Sequence, residues 1–119
     1  MIEAYEQILC RVEDLPELGS RGFLFQDGQD QVYAVCKNGG IYVYLNLCPH
    51  ERQPMGLRKD KHLNADKTEI ICFAHGVHFE IETGECTEGV CEGQFLIRVP
   101  HRIEDGCLVI GRELPPDRH

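Results

Sequence analysis

An all-β fold follows from three features of the sequence. Apolar and β-branched residues cluster in short runs, such as Gln31 to Lys37 and Ile41 to Leu45. Turn dipeptides separate the runs: Asp27-Gly28, Asn38-Gly39 and Asp105-Gly106. Both central residues of a type I′ turn need positive φ, and Asn-Gly and Asp-Gly tolerate that best. Nowhere do apolar residues keep helical spacing over three turns.

The elements follow in order. Tyr5 to Val12 carries Ile8, Leu9, Cys10 and Val12 and predicts a first strand, ended by Asp14-Leu15-Pro16. It is also the segment nearest to helical spacing, which Pro16 would cut short. Gly22 to Gln26 and Gln31 to Lys37 predict a hairpin around Asp27-Gly28, and Ile41 to Leu45 a further strand beyond Asn38-Gly39. Glu51 to Glu69 is a polar excursion with Arg58, Lys59, Asp60, Lys61 and Asp66, too charged for a core and expected on the surface. Phe95 to Val99 and Cys107 to Ile110 predict the last strands, and Leu114 to His119 a frayed tail. Many short strands with regular turns give a sandwich or barrel.

At 119 residues the chain has the size of one domain, residues 1–119, with no room for a separate catalytic module. Its formal charge of −8 argues against a nucleic-acid partner, since a phosphate backbone needs a basic face. The longest clean apolar run, Ile41 to Leu45, is far too short to span a membrane. The first residues, Met1 to Glu6, do not resemble a signal peptide. Seven cysteines, an odd number, then read as thiols or metal ligands in a reducing compartment, so a cytoplasmic location is expected.

Two short loops concentrate the chemistry. The first is Cys48-Pro49-His50; the second, after 21 intervening residues, is Cys72-Phe73-Ala74-His75-Gly76. Thiolate and imidazole are borderline-soft ligands suited to zinc, iron or copper. Zinc sites of the Cys₂His₂ type pair like with like, as Cys-x₂₋₄-Cys and then His-x₃₋₅-His. Here each loop mixes the two types, which suits a binuclear centre: each loop can place sulfur on one iron and nitrogen on the other. Substituting two histidines for two cysteines on one iron of a [2Fe–2S] cluster is the Rieske arrangement. A mononuclear zinc site is the alternative reading of the same four residues.

These motifs resemble the Rieske-type [2Fe–2S] ferredoxin family. Cys48-Pro49-His50 with Pro54-Met55 is similar to its first cluster loop, and Cys72-x-x-His75-Gly76-x-x-Phe79 with Thr83-Gly84 to its second. Val99-Pro100 and Arg102-Ile103-Glu104-Asp105-Gly106 resemble its closing hairpin. The resemblance implies stacked antiparallel sheets with a cluster-binding subdomain, roughly residues 46–84, at one tip. It implies that Cys48 and Cys72 bind one iron, and His50 and His75 the other.

The chain also departs from the family pattern. Arg52 stands where glycine is frequent, Phe73 where proline is, and Val77 where tryptophan is. Shielding prolines are missing near Glu88 to Glu92. High-potential relatives carry an inter-loop disulfide at positions matching Gln53 and Ala74, and serine and tyrosine donors at positions matching Val77 and Phe79. Without those donors a potential near the low end of the Rieske range of about −150 to +300 mV is expected.

The remaining cysteines read as follows. Cys10, Cys36 and Cys107 fall in predicted strands and are expected as small core residues, while Cys86 and Cys91 could approach one another. His78 reads as a surface histidine, and Glu51 and Arg52 flank the first loop, where they could help dock a partner. The resemblance implies a monomeric one-electron carrier between a reductase and a terminal oxygenase or reductase, with no catalytic site of its own. A small Rieske subunit of a larger oxidoreductase, as in nitrite reductase, is the second reading. A zinc-stabilised interaction module is the third.

Overall fold

The computed structural model describes residues 6–24, 30–45, 63, 68–72, 77–88 and 93–111. Nine strands appear among them: β1 (Glu6–Arg11), β2 (Gly19–Leu24), β3 (Asp30–Lys37), β4 (Gly40–Leu45), β5 (Glu69–Cys72), β6 (Val77–Glu80), β7 (Cys86–Glu88), β8 (His101–Glu104) and β9 (Cys107–Gly111). They form three antiparallel sheets in the orders β1-β9-β8, β2-β3-β4 and β5-β6-β7. The only helical element among the described residues is one 3-10 turn, Val12–Asp14. The all-β expectation therefore holds.

The β2-β3-β4 sheet lies in the middle and is covered on both faces. Side chains alternate across a strand, and on β3 both alternating sets are buried. Val32 and Ala34 join Val43 and Leu45 of β4 in a core with Cys10, Leu15, Phe23, Val99, Leu108 and Ile110. Tyr33 and Val35 join Tyr44 in a second core with Ile70, Val77, Phe79, Ile81, Cys86 and Leu96. This is why β3 and β4 read as nearly continuous apolar runs instead of alternating ones. Each core belongs to one outer sheet, so the middle sheet holds the β5-β6-β7 sheet to the rest of the molecule.

The turn dipeptides behave as their chemistry requires. Asn38 and Gly39 have φ of 53° and 78°, and Asp105 and Gly106 have 51° and 76°. The Glu17 carboxylate secures the first of these turns by accepting hydrogen bonds from the backbone N–H of Asn38 and Gly39. Asp27-Gly28 lies outside the described residues, although β2 and β3 pair antiparallel on either side of it.

Several expectations need correction. Tyr5–Val12 is a strand only over Glu6–Arg11, and Val12 opens the 3-10 turn. Phe95–Val99 is not one strand, because it crosses between two sheet edges. Phe95 bridges Glu85 beside β7, whereas Arg98 bridges Tyr44 on β4. Cys86 N–H and Leu96 N–H bond to Gln94 and Gly84 carbonyls on one side of the crossing, and Leu45 N–H and Val99 N–H to Ile97 and Val43 on the other. Of the Glu51–Glu69 excursion, the described part is Leu63, which bridges Ile70, together with the residues from Thr68 onward. The tail from residue 112 lies outside the described residues.

The turn that joins β6 to β7 is clasped to the middle sheet. The buried Tyr44 hydroxyl donates to the Ile81 carbonyl at 2.7 Å. The Arg98 guanidinium donates to the Glu82 carbonyl and lies 5.9 Å from the ring centres of both Tyr42 and Tyr44. Lys37 Nζ pairs with the Glu82 carboxylate at 2.9 Å. That hydrogen bond draws the Glu82 carboxyl below its usual range and lifts the Lys37 ammonium above its own. Gly84 completes the clasp, since a Cβ there would sit 2.9 Å from Tyr44 Cε1 and 3.3 Å from Leu96 Cβ.

Two predictions follow from this clasp. Gly84 and Gly39 share a φ of +78°, but nothing lies within 4 Å of a Cβ at Gly39. Gly39→Ala should cost about 1 kcal/mol for its backbone alone. Gly84→Ala should cost about 3 kcal/mol, because overpacking adds to the same strain. Urea denaturation of the two variants measures the difference, and equal losses would contradict the clasp. For Tyr44→Phe, loss of a buried hydrogen bond should cost about 1 kcal/mol near neutral pH. Burial raises the Tyr44 phenol above its ordinary value of 10.0, with Arg98 opposing the shift. The native state therefore holds that proton more tightly than the unfolded chain, so stability is full below pH 10 and falls as pH rises further. That alkaline fall should be shallower in Tyr44→Phe.

Candidate metal centre

Of the four residues singled out by the sequence, Cys72 is the one whose backbone is described, and it ends strand β5. β4 ends at Leu45, three residues before Cys48. Cys72 is the last residue of β5 and stands opposite Val77, the first residue of β6. Residues 73–76 are thus the four-residue connection of a hairpin, and His75 belongs to it. Cys48, His50, His75 and the Cys72 side chain lie outside the described residues, as do Glu51, Arg52 and Cys91.

The supports of the second loop are described in full. Val77 and Phe79 are almost completely buried in the core that also holds Ile70, Ile81 and Cys86. Both are apolar, so neither can donate a hydrogen bond at this end of the hairpin. Backbone pairing runs from Cys72 opposite Val77 to Glu69 opposite Glu80. The loop therefore stands on a short ladder backed by a dry core. Two thiolates and two imidazoles on two such loops form the donor set that a Rieske [2Fe–2S] cluster requires, so the residues present fit that group.

The other face of the hairpin is polar, and sequence reasoning did not find its organisation. His78 Nδ1 lies 3.1 Å from Glu69 Oε1, and Thr87 Oγ1 donates to Glu69 Oε2 at 2.6 Å. His78 is half-buried and paired, not a plain surface histidine. A partial signal was present: His78 occupies a polar position of the alternating strand VHFE, although EIIC, which carries Glu69, does not alternate. Each strand is only four residues long, which hid the pattern.

The remaining cysteines divide by environment. Cys10 and Cys86 are buried, whereas Cys36 and Cys107 are partly exposed, so the core expectation holds for Cys10 and only in part for the other two. Burial pushes the Cys10 thiol up, with a smaller upward push from Asp14 and an opposing pull from Arg21. Burial and the neighbouring Glu17 carboxylate do the same to Cys36. These thiols are poor nucleophiles and poor metal ligands as they stand. Cys86 is part of the core, and Cys91, the residue it was expected to approach, lies outside the described residues.

Among the described residues no other group of histidine, cysteine, aspartate or glutamate could hold a metal. A surface hollow of about 240 Å³ lies beside Glu6, Pro100, His101, Arg102 and Val109. Its cation is already engaged, since Arg102 donates to both Glu6 oxygens at 3.0 and 2.7 Å and pairs with Glu104. Among the described residues no helix is long and apolar enough to cross a membrane, which leaves β-barrels aside.

Comparison with known proteins agrees with this geometry. The chain is 30% identical over 110 residues to the ferredoxin component of the alkene monooxygenase system of Xanthobacter autotrophicus, covering 91% of this chain and 82% of that one. The ferredoxin of Sphingomonas yanoikuyae B1 superposes with a TM-score of 0.68 at 25% identity, covering 91% of this chain and 99% of the other. A carbazole 1,9a-dioxygenase structure, of reduced oxygenase with oxidised ferredoxin, shares the fold at a TM-score of 0.72 and 16% identity, covering 97% of this chain and 100% of that chain. The Rieske [2Fe-2S] domain family matches residues 6–101. With antiparallel sheets, two Cys/His motifs in its sequence and this match over most of its length, the chain belongs to the Rieske [2Fe–2S] domain family.

Proposed function

We propose that this protein is a ferredoxin that carries single electrons from a reductase to a terminal oxygenase. Cys48 and Cys72 would hold one iron, and His50 and His75 the other, within a cluster-binding subdomain of roughly residues 46–84. The observation that carries this reading is the β5–β6 hairpin, in which Cys72 closes one strand and His75 lies in the link to the next. The chain's similarity to an alkene monooxygenase ferredoxin supports the oxygenase setting.

A [2Fe–2S] cluster supplies reversible one-electron transfer. The protein's own residues hold and tune it. Val77 and Phe79 pack apolar surface behind the loop and exclude water from that side. They offer no donor that would stabilise extra negative charge. A net charge of −8 suits docking to partners with basic faces. Seven cysteines, with Cys10, Cys36 and Cys107 all free, suit a reducing compartment, and cytoplasmic residence is part of the proposal.

Purified protein should be red-brown, with two iron and two acid-labile sulfide per chain. On reduction it should show an EPR signal at lower average g than plant-type ferredoxins. A colourless, zinc-loaded product would overturn the assignment. Cys48→Ser, His50→Ala, Cys72→Ser or His75→Ala should each abolish nearly all visible absorbance, and circular dichroism would report whether the β-sheets persist. The midpoint potential should fall near the low end of the Rieske range of about −150 to +300 mV. A value well above zero by redox titration would sink the donor argument. Val77→Ser and Phe79→Tyr should each move it upward.

A further inference from the structure

The β3–β4 turn holds a residue pair whose chemistry the electron-carrier reading does not use. Asn38 is the one asparagine in the sequence that glycine follows, and both residues of the pair are exposed. Asparagine is a thermolabile residue, and the cause is intramolecular. The amide nitrogen of the next residue can attack the side-chain carbonyl carbon, and glycine, without a Cβ, hinders that approach least. At Gly39 nothing lies within 4 Å of the place a Cβ would take. Sterically, the turn leaves this attack open.

The Glu17 carboxylate opposes it. Its oxygens accept the backbone N–H of Asn38 at 2.5 Å and of Gly39 at 3.3 Å, and the Cys36 thiol lies 4.0 Å from Oε1. An amide nitrogen must lose its proton before it can attack. A carboxylate that accepts this N–H holds the proton in place, and its negative charge disfavours the amide anion. Glu17 is itself presented by a constrained turn. Leu18 adopts a φ of 53°, its N–H donates to the Cys36 carbonyl, and Gly19 N–H donates to the Pro16 carbonyl. Such a backbone costs energy and persists only where its surroundings determine it. Here it lays the carboxylate of one turn on the backbone of another, 21 residues away.

We propose that Asn38-Gly39 is a deamidation site that the Glu17 carboxylate holds in check. When the contact opens, hydroxide takes the Gly39 N–H proton and the nitrogen bonds to Asn38 Cγ. The side-chain amide nitrogen leaves as ammonia, with a proton from water. Water then opens the cyclic imide at either carbonyl to give aspartate or isoaspartate, and nothing is oxidised or reduced. Isoaspartate lengthens the backbone between Lys37 and Gly40, which pair directly across the turn. The strain falls on Lys37, the residue that also ties the middle sheet to Glu82.

The test follows the full-length protein, as purified, at pH 8 and 37 °C by peptide mass spectrometry. The signal is conversion of the Asn38 amide to an acid, located by fragment ions. Glu17→Ala should convert at least about threefold faster than wild type, a modest part of what a hydrogen bond to a charged group can contribute. Glu17→Gln keeps an acceptor oxygen without the charge and should fall between the two. Equal rates in wild type and Glu17→Ala would overturn the proposal. Where Glu17→Ala fails to fold, Glu17→Gln carries the test, and a rate equal to wild type overturns it. Hydrogen exchange separates a local clamp from general loosening. Gly39 N–H should exchange faster in Glu17→Ala while the buried β3 amides stay protected, and faster exchange throughout β3 would also overturn the proposal. No step involves the cluster, so the electron-carrier reading stands or falls on its own tests.

Discussion

Everything in this molecule depends on a middle sheet that is buried on both faces. Val32, Tyr33, Ala34 and Val35 are consecutive and fully buried, which is possible only if each side of the pleat meets its own core. One core binds the sheet of the two chain-end segments, and the other binds the hairpin that carries the second Cys/His loop. Burial of apolar surface supplies the attraction, at roughly 25 cal/mol per Å². It is not directional, however, and cannot alone fix where one sheet lies on the other. Tyr44 supplies direction. Its ring fills the core, while its hydroxyl reaches the Ile81 carbonyl at the base of the hairpin. Gly84 is required in the same place because the ring approaches the backbone too closely for any side chain.

The parts of the fold that could be read from the sequence were those with local causes. Asn38-Gly39 and Asp105-Gly106 form positive-φ turns because of their own backbone preferences. The long apolar runs of β3 and β4 were legible because burial on both faces makes such strands unmistakably apolar. The strands around the second loop were harder to see. VHFE alternates and EIIC does not, and four residues give too few repeats to separate a strand from chance. Phe95–Val99 failed for another reason. Its composition suits a strand, but its partners lie on two sheets, and pairing across 10 residues (Glu85 to Phe95) and 54 residues (Tyr44 to Arg98) leaves no local mark. The cluster ligands sit at the opposite extreme. The proposed donor set of Cys48, His50, Cys72 and His75 is argued from side-chain type and spacing, and what the fold adds is that Cys72 ends a strand paired with β6.

The hairpin also gives a small electron carrier the rigid support it needs. An electron carrier needs a redox centre close to the surface and a rigid support, because reorganisation around the centre slows transfer. The support here is short and heavily tied. β5 and β6 pair over all four residues, and the turn beyond β6 is held by Tyr44, Arg98 and Lys37 from the middle sheet. The Arg98 contact is made by backbone acceptor and aromatic faces together, so it resists displacement better than an exposed ion pair alone. Lys37–Glu82 is such a pair and adds comparatively little.

Strand β6 finally shows how one short element separates two requirements. Its buried positions, Val77 and Phe79, keep the ground beneath the loop dry and without donors. Its polar positions, His78 and Glu80, lie on the opposite face. Because the pleat sends alternate residues to opposite faces, charge can change on the outer face without disturbing packing on the inner one. A polar group introduced on the inner face has no such freedom: it must find a partner within the core or pay the full cost of an unsatisfied group. Polar substitutions are therefore far easier to accommodate beside Glu69, His78 and Thr87, which already bond to one another, than at Val77 and Phe79, which have only apolar neighbours in their core.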